Sequence, residues 1–337
     1  MRFVISIILF SFVICNGQQT ASVDFTTLNA SISVDPQERK VYGSASYEFD
    51  VKTAIDTIRI DAVNMAFTNV KINNKKVMFN SSTKALNVFE GYKNGRNKLT
   101  FDYTAVPKQT MYFTGQSDKF QIWTQGQGKG TSHWLPSFDD MNEKVVFGLT
   151  VTFDKSFRVI SNGTLKSHSQ KGQNSIWKYQ MKKPMSSYLV MLAIGKFYKK
   201  DDKSSSGIPL EMYYMPEDEG KHPFTYKNSA EIFNFLEREI GVPYPWEIYR
   251  QIPVQDFLYA GMENTSATIF SQDFVVDETG LNDRSYVNVN AHELAHQWFG
   301  DMVTAKSGKH HWLQEGFATY YALLAERALY GDDHFYN

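Results

Sequence analysis

From Val23 to about Lys199 apolar and polar residues alternate with period two, the signature of half-buried strands. The runs Val41–Val51, Ile58–Asp61 and Lys98–Tyr103 are the clearest, and Asn73-Asn74, Asn94-Gly95 and Asn162-Gly163 supply turns between strands. This half therefore predicts an antiparallel β domain, either a sandwich or an open saddle. Asp201–Gly207, with the sequence DDKSSSG, is the most polar short run and predicts a boundary, giving a β domain over 18–205 and a second domain over 206–337. Beyond it the period changes. Phe224–Ile240 places Ile232, Phe233, Phe235, Leu236 and Ile240 at helical spacing, and Gly241 and Pro243 end the helix. A strand-like stretch follows over Ile248–Phe270, then two helices over about Asp283–Phe299 and Trp312–Tyr330, with Gly300 and Gly331 as stops. The overall class is an all-β half followed by an α+β half.

Composition narrows what such a chain can do. Its 337 residues suit about two domains, and 42 % hydrophobic with 21 % charged residues excludes disordered and fibrous classes. The net charge of −1 provides no basic field for nucleic acid. A single cysteine excludes a disulfide framework and a cysteine-built zinc module. That cysteine, Cys15, follows a basic start (Met1-Arg2) and twelve mostly apolar residues, Phe3–Ile14. The pattern predicts a secretory signal peptide over 1–17. Twelve residues are too few for the ~20 that span a bilayer, so a transmembrane anchor is not expected. The bulky Ile14 before Cys15 disfavours lipid anchoring at that residue. The expected destination is the periplasm or the extracellular space, and the sequence leaves the oligomeric state open.

The chemistry concentrates in His292-Glu293-Leu294-Ala295-His296. Histidines four apart stack on one helix face and can share an ion, and imidazole suits zinc. Glu293 sits one residue round the helix, within reach of water on that ion. Glu315, separated from His296 by eighteen residues, leaves room for one helix to end and another to begin, and completes a His-His-Glu set. Three protein ligands with one open position is the catalytic form of a single-zinc site. With 8 His and 16 Glu in the chain, H-E-x-x-H arises by chance only about 0.01 times, so a merely packed histidine pair is the poorer reading. No G-x-S-x-G occurs, and the only cysteine lies in the leader, which argues against a serine or cysteine nucleophile.

With this spacing, His292, Glu293, His296 and Glu315 resemble the gluzincin zinc aminopeptidases, the group of alanyl aminopeptidase and leukotriene hydrolase. Tyr259-Ala260-Gly261-Met262-Glu263-Asn264 is similar to that family's G-x-M-E-N signature, with Ala260-Gly261 in place of the usual small pair. Thr124-Gln125-Gly126-Gln127 followed by Trp134–Asp140 resembles the loop by which the family's N-terminal domain enters the active site. The resemblance implies a saddle-shaped β domain on a thermolysin-like catalytic domain, and the N-terminal portion of a secreted member of bacterial type.

It also implies roles. His292, His296 and Glu315 would hold one zinc ion and Glu293 would act as general base. Glu263 and Gln127 would bind the substrate's α-amine, with Gly261, Met262 and Asn264 completing the substrate-binding strand. The partners would be peptides with a free N-terminus, and the reaction the removal of their first residue. A leukotriene-hydrolase-like epoxide hydrolase and a non-catalytic binding relative are the alternatives. The family's oxyanion-stabilising tyrosine lies several tens of residues past the third ligand, and only 22 residues follow Glu315 here. The catalytic domain is therefore expected to be incomplete and the chain to show little activity. Tyr320, Tyr321 and Tyr330 read as packing or surface residues, and His310-His311 as an exposed loop pair.

Overall fold

The computed structural model describes residues 19–336, so the leader expected over 1–17 lies outside the described residues. The first long strand, Val23–Asp35, buries Val23 and Phe25 and then Leu28, Ala30, Ile32 and Val34. The inward set changes phase between Phe25 and Leu28, where the pairing with Lys40–Val51 slips by one residue at a β-bulge. This strand lies inside a nine-stranded sheet. Lys40–Val51 and then Gly95–Ala105 pair antiparallel on one side, and Lys144–Asp154 pairs on the other. The last pairing is parallel, so the expected antiparallel domain contains one parallel seam. Four-stranded and three-stranded sheets complete this half.

The second half is built on a mixed five-stranded sheet, in the order Tyr198–Lys203, Pro209–Tyr214, Tyr249–Val254, Ala267–Ser271, Gly261–Met262. Asp201–Lys203 end the first of these strands and Ser204–Gly207 turn the chain into the second, the two pairing antiparallel over Lys203↔Pro209 to Tyr198↔Tyr214. The polar run is thus a hairpin tip rather than a linker. Gly261–Met262 is the edge strand.

Three helices pack on this sheet side of the molecule. Ser229–Ile240 buries Ile232, Phe233 and Leu236, as its spacing predicts. The H-E-x-x-H helix spans Val287–Ala295 with His296 as its C-cap, shorter at both ends than expected. Tyr286 is its N-cap, without a side-chain cap, and Ser285 Oγ accepts from Val287 N at 3.2 Å. The closing helix, His311–Tyr330, buries Gln314, Ala318, Ala322 and Ala325. No helix among the described residues is long and apolar enough to cross a membrane.

The two halves share one apolar cluster, which joins Phe25, Phe138 and Leu189 to Phe233, Trp298 and Ala322. Polar contacts fix their relative position. Arg250, 2 % exposed, donates to Glu211 Oε2 at 2.6 Å, to the Ser161 carbonyl at 3.1 Å and to the Gly163 carbonyl, and its guanidinium lies 5.4 Å from the Tyr179 ring centre. Lys144 Nζ donates to the carbonyls of Asp301 and Met302, at 2.8 and 3.1 Å, and so ties the β domain to the loop that follows the histidine helix.

Candidate metal centre

His296 keeps right-handed helical angles at the helix end (φ −58°, ψ −25°), which preserves its one-turn relation to His292. The two Nε2 atoms lie 3.1 Å apart. Glu315, on the second turn of the closing helix, brings Oε2 to 3.3 Å from His292 Nε2 and 3.6 Å from His296 Nε2. Two ligand bonds of ~2.0–2.1 Å at a tetrahedral angle separate their donor atoms by roughly 3.3 Å, so the three atoms fit one zinc ion. His296 Nδ1–H donates to the Phe299 carbonyl at 2.9 Å, which holds the tautomer that presents Nε2. Gly300, at φ +141°, turns the chain just past the helix, and a Cβ there would meet His296 Nδ1 at 3.2 Å.

Electrostatics bind the cluster together. His292, His296 and His311 hold the Glu315 carboxyl far below the usual carboxylate range. Burial opposes a charge on His296, but Glu263, Glu315 and Glu293 outweigh it and raise the imidazole to about 10 in the metal-free chain. Burial holds the Glu293 carboxyl well above the usual range, with His296 acting in the opposite direction. The Asp301 carboxyl, fully buried behind His296, is likewise pushed up by desolvation.

The edge strand closes on this set. A Cβ on Gly261 would lie 2.6 Å from Cγ and Cδ of Glu293, so the general-base candidate rests directly on glycine backbone. Glu263 is 3 % exposed, and its Oε1 has no hydrogen-bond partner. One donor atom each from Glu263, His311 and Glu315 lies within 4.8 Å of the others. Met262 and Asn264 are 2 % and 0 % exposed: Met262 Sδ accepts from Gln125 Nε2 at 3.4 Å, and Asn264 Nδ2 donates to the Leu189 carbonyl at 3.4 Å. Both are buried as whole residues, so neither presents an exposed side chain to a substrate. Gln127 arrives from the β domain, exposed, with Nε2 3.4 Å from His311 Nε2 and its backbone N–H donating to Gln125 Oε1 at 2.6 Å.

His311 departs from expectation. It is half-buried, and its Nε2 lies 3.0 Å from Glu315 Oε1, whereas its neighbour His310 is exposed. The signal was an i, i+4 spacing to Glu315 on one helix face. Buried Gln125, which the loop motif contains without an assigned role, joins that loop to the edge strand through Met262 Sδ.

Residues 224–337 match the model described as peptidase family M1 domain, and residues 26–189 match the peptidase M1 N-terminal domain. The chain belongs to peptidase family M1. Among M1 relatives, the leucyl aminopeptidase of Saccharolobus solfataricus is 28 % identical over 296 residues, covering 86 % of this chain and 38 % of that protein. The tricorn protease-interacting factor F2 of Thermoplasma acidophilum is 30 % identical over 271 residues, 78 % of this chain and 34 % of the relative. Bovine glutamyl aminopeptidase is 30 % identical over 197 residues, 56 % of this chain and 20 % of the relative. The chain thus spans between a fifth and two fifths of the length of these relatives.

Proposed function

We propose that this chain carries the zinc-ligating and substrate-gripping part of an aminopeptidase that removes single residues from peptide N-termini. The observation that supports this reading is the seating of Glu293 on Gly261, on the edge strand of the sheet and next to the His292–His296–Glu315 set. When bound by His292, His296 and Glu315, zinc supplies Lewis-acid polarisation of the scissile carbonyl and acidifies water in its open position.

The rest is the work of the chain. An extended peptide adds to the free side of Gly261–Met262 through main-chain hydrogen bonds. The carboxylate of Glu263, whose Oε1 meets no partner, takes the substrate's α-ammonium together with Gln127, so that only the first peptide bond reaches Glu293. Glu293 removes a proton from the attacking water and returns it to the leaving amine. The leader pattern of residues 1–17 supports export of the protein.

The test is Glu293→Gln in the zinc-loaded protein, with metal content measured alongside hydrolysis of aminoacyl amides. The expected result is retained zinc with turnover lowered by about 10²–10⁴-fold. Undiminished hydrolysis with zinc bound would remove Glu293 from its role.

A further inference from the structure

We propose that Glu263, His311 and Oε1 of Glu315 form a second divalent-cation site, adjacent to the His292–His296–Glu315 set and sharing Glu315 with it. The two carboxylate oxygens of Glu315 are divided between the sets: Oε2 faces His292 and His296 at 3.3 and 3.6 Å, and Oε1 faces His311 Nε2 at 3.0 Å. That last separation suits two ligands on one ion as well as those in the first set do. The third donor comes from Glu263, within 4.8 Å of both, so the three side chains converge from the edge of the sheet and one turn of the closing helix.

Glu263 also indicates what the site lacks. Its Oε1 is buried, in a residue 3 % exposed, and meets no donor. A carboxylate oxygen removed from water without a partner is costly, and a cation is the partner that removes the cost. One imidazole and two carboxylates form a mixed nitrogen and oxygen set, which suits zinc, cobalt or manganese better than calcium with its six to eight oxygens. With one imidazole against two, the second site is the weaker.

This inference rests on the reading in which Glu315 Oε2 ligates the first ion and Glu263 receives the substrate's α-ammonium. It adds a regulatory consequence: a second ion occupies the carboxylate that the ammonium needs. Excess divalent metal therefore competes with substrate, and KM rises with free metal while kcat holds.

The experiment strips the protein with chelator, returns zinc alone, and reads stoichiometry by calorimetry and by metal analysis after dialysis. Two ions of unequal affinity are expected. His311→Phe and Glu263→Gln should each keep only the tight ion, whose retention also reports an intact fold, and His292→Gln should lose the tight ion. A single ion in the unaltered protein at excess zinc, abolished by His292→Gln, overturns the second site and leaves the first. A second ion that persists in both His311→Phe and Glu263→Gln lies elsewhere and also overturns it. Failure to bind any ion overturns both readings together.

Discussion

The hydrogens of Gly261 face the carboxyl group of Glu293 so closely that a side-chain carbon at residue 261 would fall 2.6 Å from Glu293 Cγ and Cδ. Gly261→Ala must therefore displace Glu293 or push the edge strand outward. Misplacing a reacting group by about 1 Å costs on the order of 10²-fold in rate. The expected outcome is a kcat lowered by about that factor with zinc content unchanged. Wild-type turnover by the alanine variant would show that the carboxylate does not need this seat.

Removing the charge of Glu263 should separate amine recognition from the rest of the reaction. A hydrogen bond to a charged group is worth about 1.5–3 kcal/mol, so Glu263→Gln should lower kcat/KM for free-amine substrates roughly 10- to 150-fold. Binding of an N-acetylated peptide, which has no ammonium, should not change. Equal losses for both ligands would assign Glu263 to structure instead.

Arg250 is the buried strut between the halves. Arg250→Met leaves Glu211 without its closest cation and strands the carbonyls of Ser161 and Gly163. Breaking a buried pair on one side costs about 3–5 kcal/mol. Urea unfolding should show a midpoint lowered accordingly, and an unchanged midpoint would show that the apolar interface alone sets the geometry.

Glu143 should make stability fall with rising pH. Burial raises its carboxyl to about 7 from an ordinary value near 4.5, opposed by the Phe25 N–H that donates to it at 3.1 Å and by Lys52, and reinforced by Asp24 and Asp140. Between those two values the folded chain holds a proton that the unfolded chain has released. Stability from this group is therefore complete below about 4.5, declines as pH rises and is gone above about 7, a change of about 3 kcal/mol. Glu143→Gln should flatten that slope in urea unfolding at pH 5 and pH 8. An unchanged slope would assign it to other groups.

What the sequence reveals depends on how local each relation is. His292 and His296 are legible because helical spacing alone brings them together, and Glu315 because a short helix reversal follows. The contact between Gly261 and Glu293 crosses from strand to helix, and no periodicity encodes it. His311 hides for a different reason: its spacing to Glu315 is visible, but its partial burial depends on tertiary packing. Alternation identifies Val23–Asp35 and Lys144–Asp154 as strands without saying that they are neighbours or that they run parallel. Hairpin tips and linkers share a polar composition, so Asp201–Gly207 reads equally as either.

The parallel seam has a temporal side. Val23–Asp35 finds its first partner within a few residues, but its other edge waits until Asp154 has been made. At the ~5–20 residues per second of synthesis, that edge stays open for roughly 6–24 s in the growing chain. An unpaired, apolar strand edge invites pairing with other chains. The seam that completes the sheet in the finished molecule is thus the point at which the nascent one most needs protection.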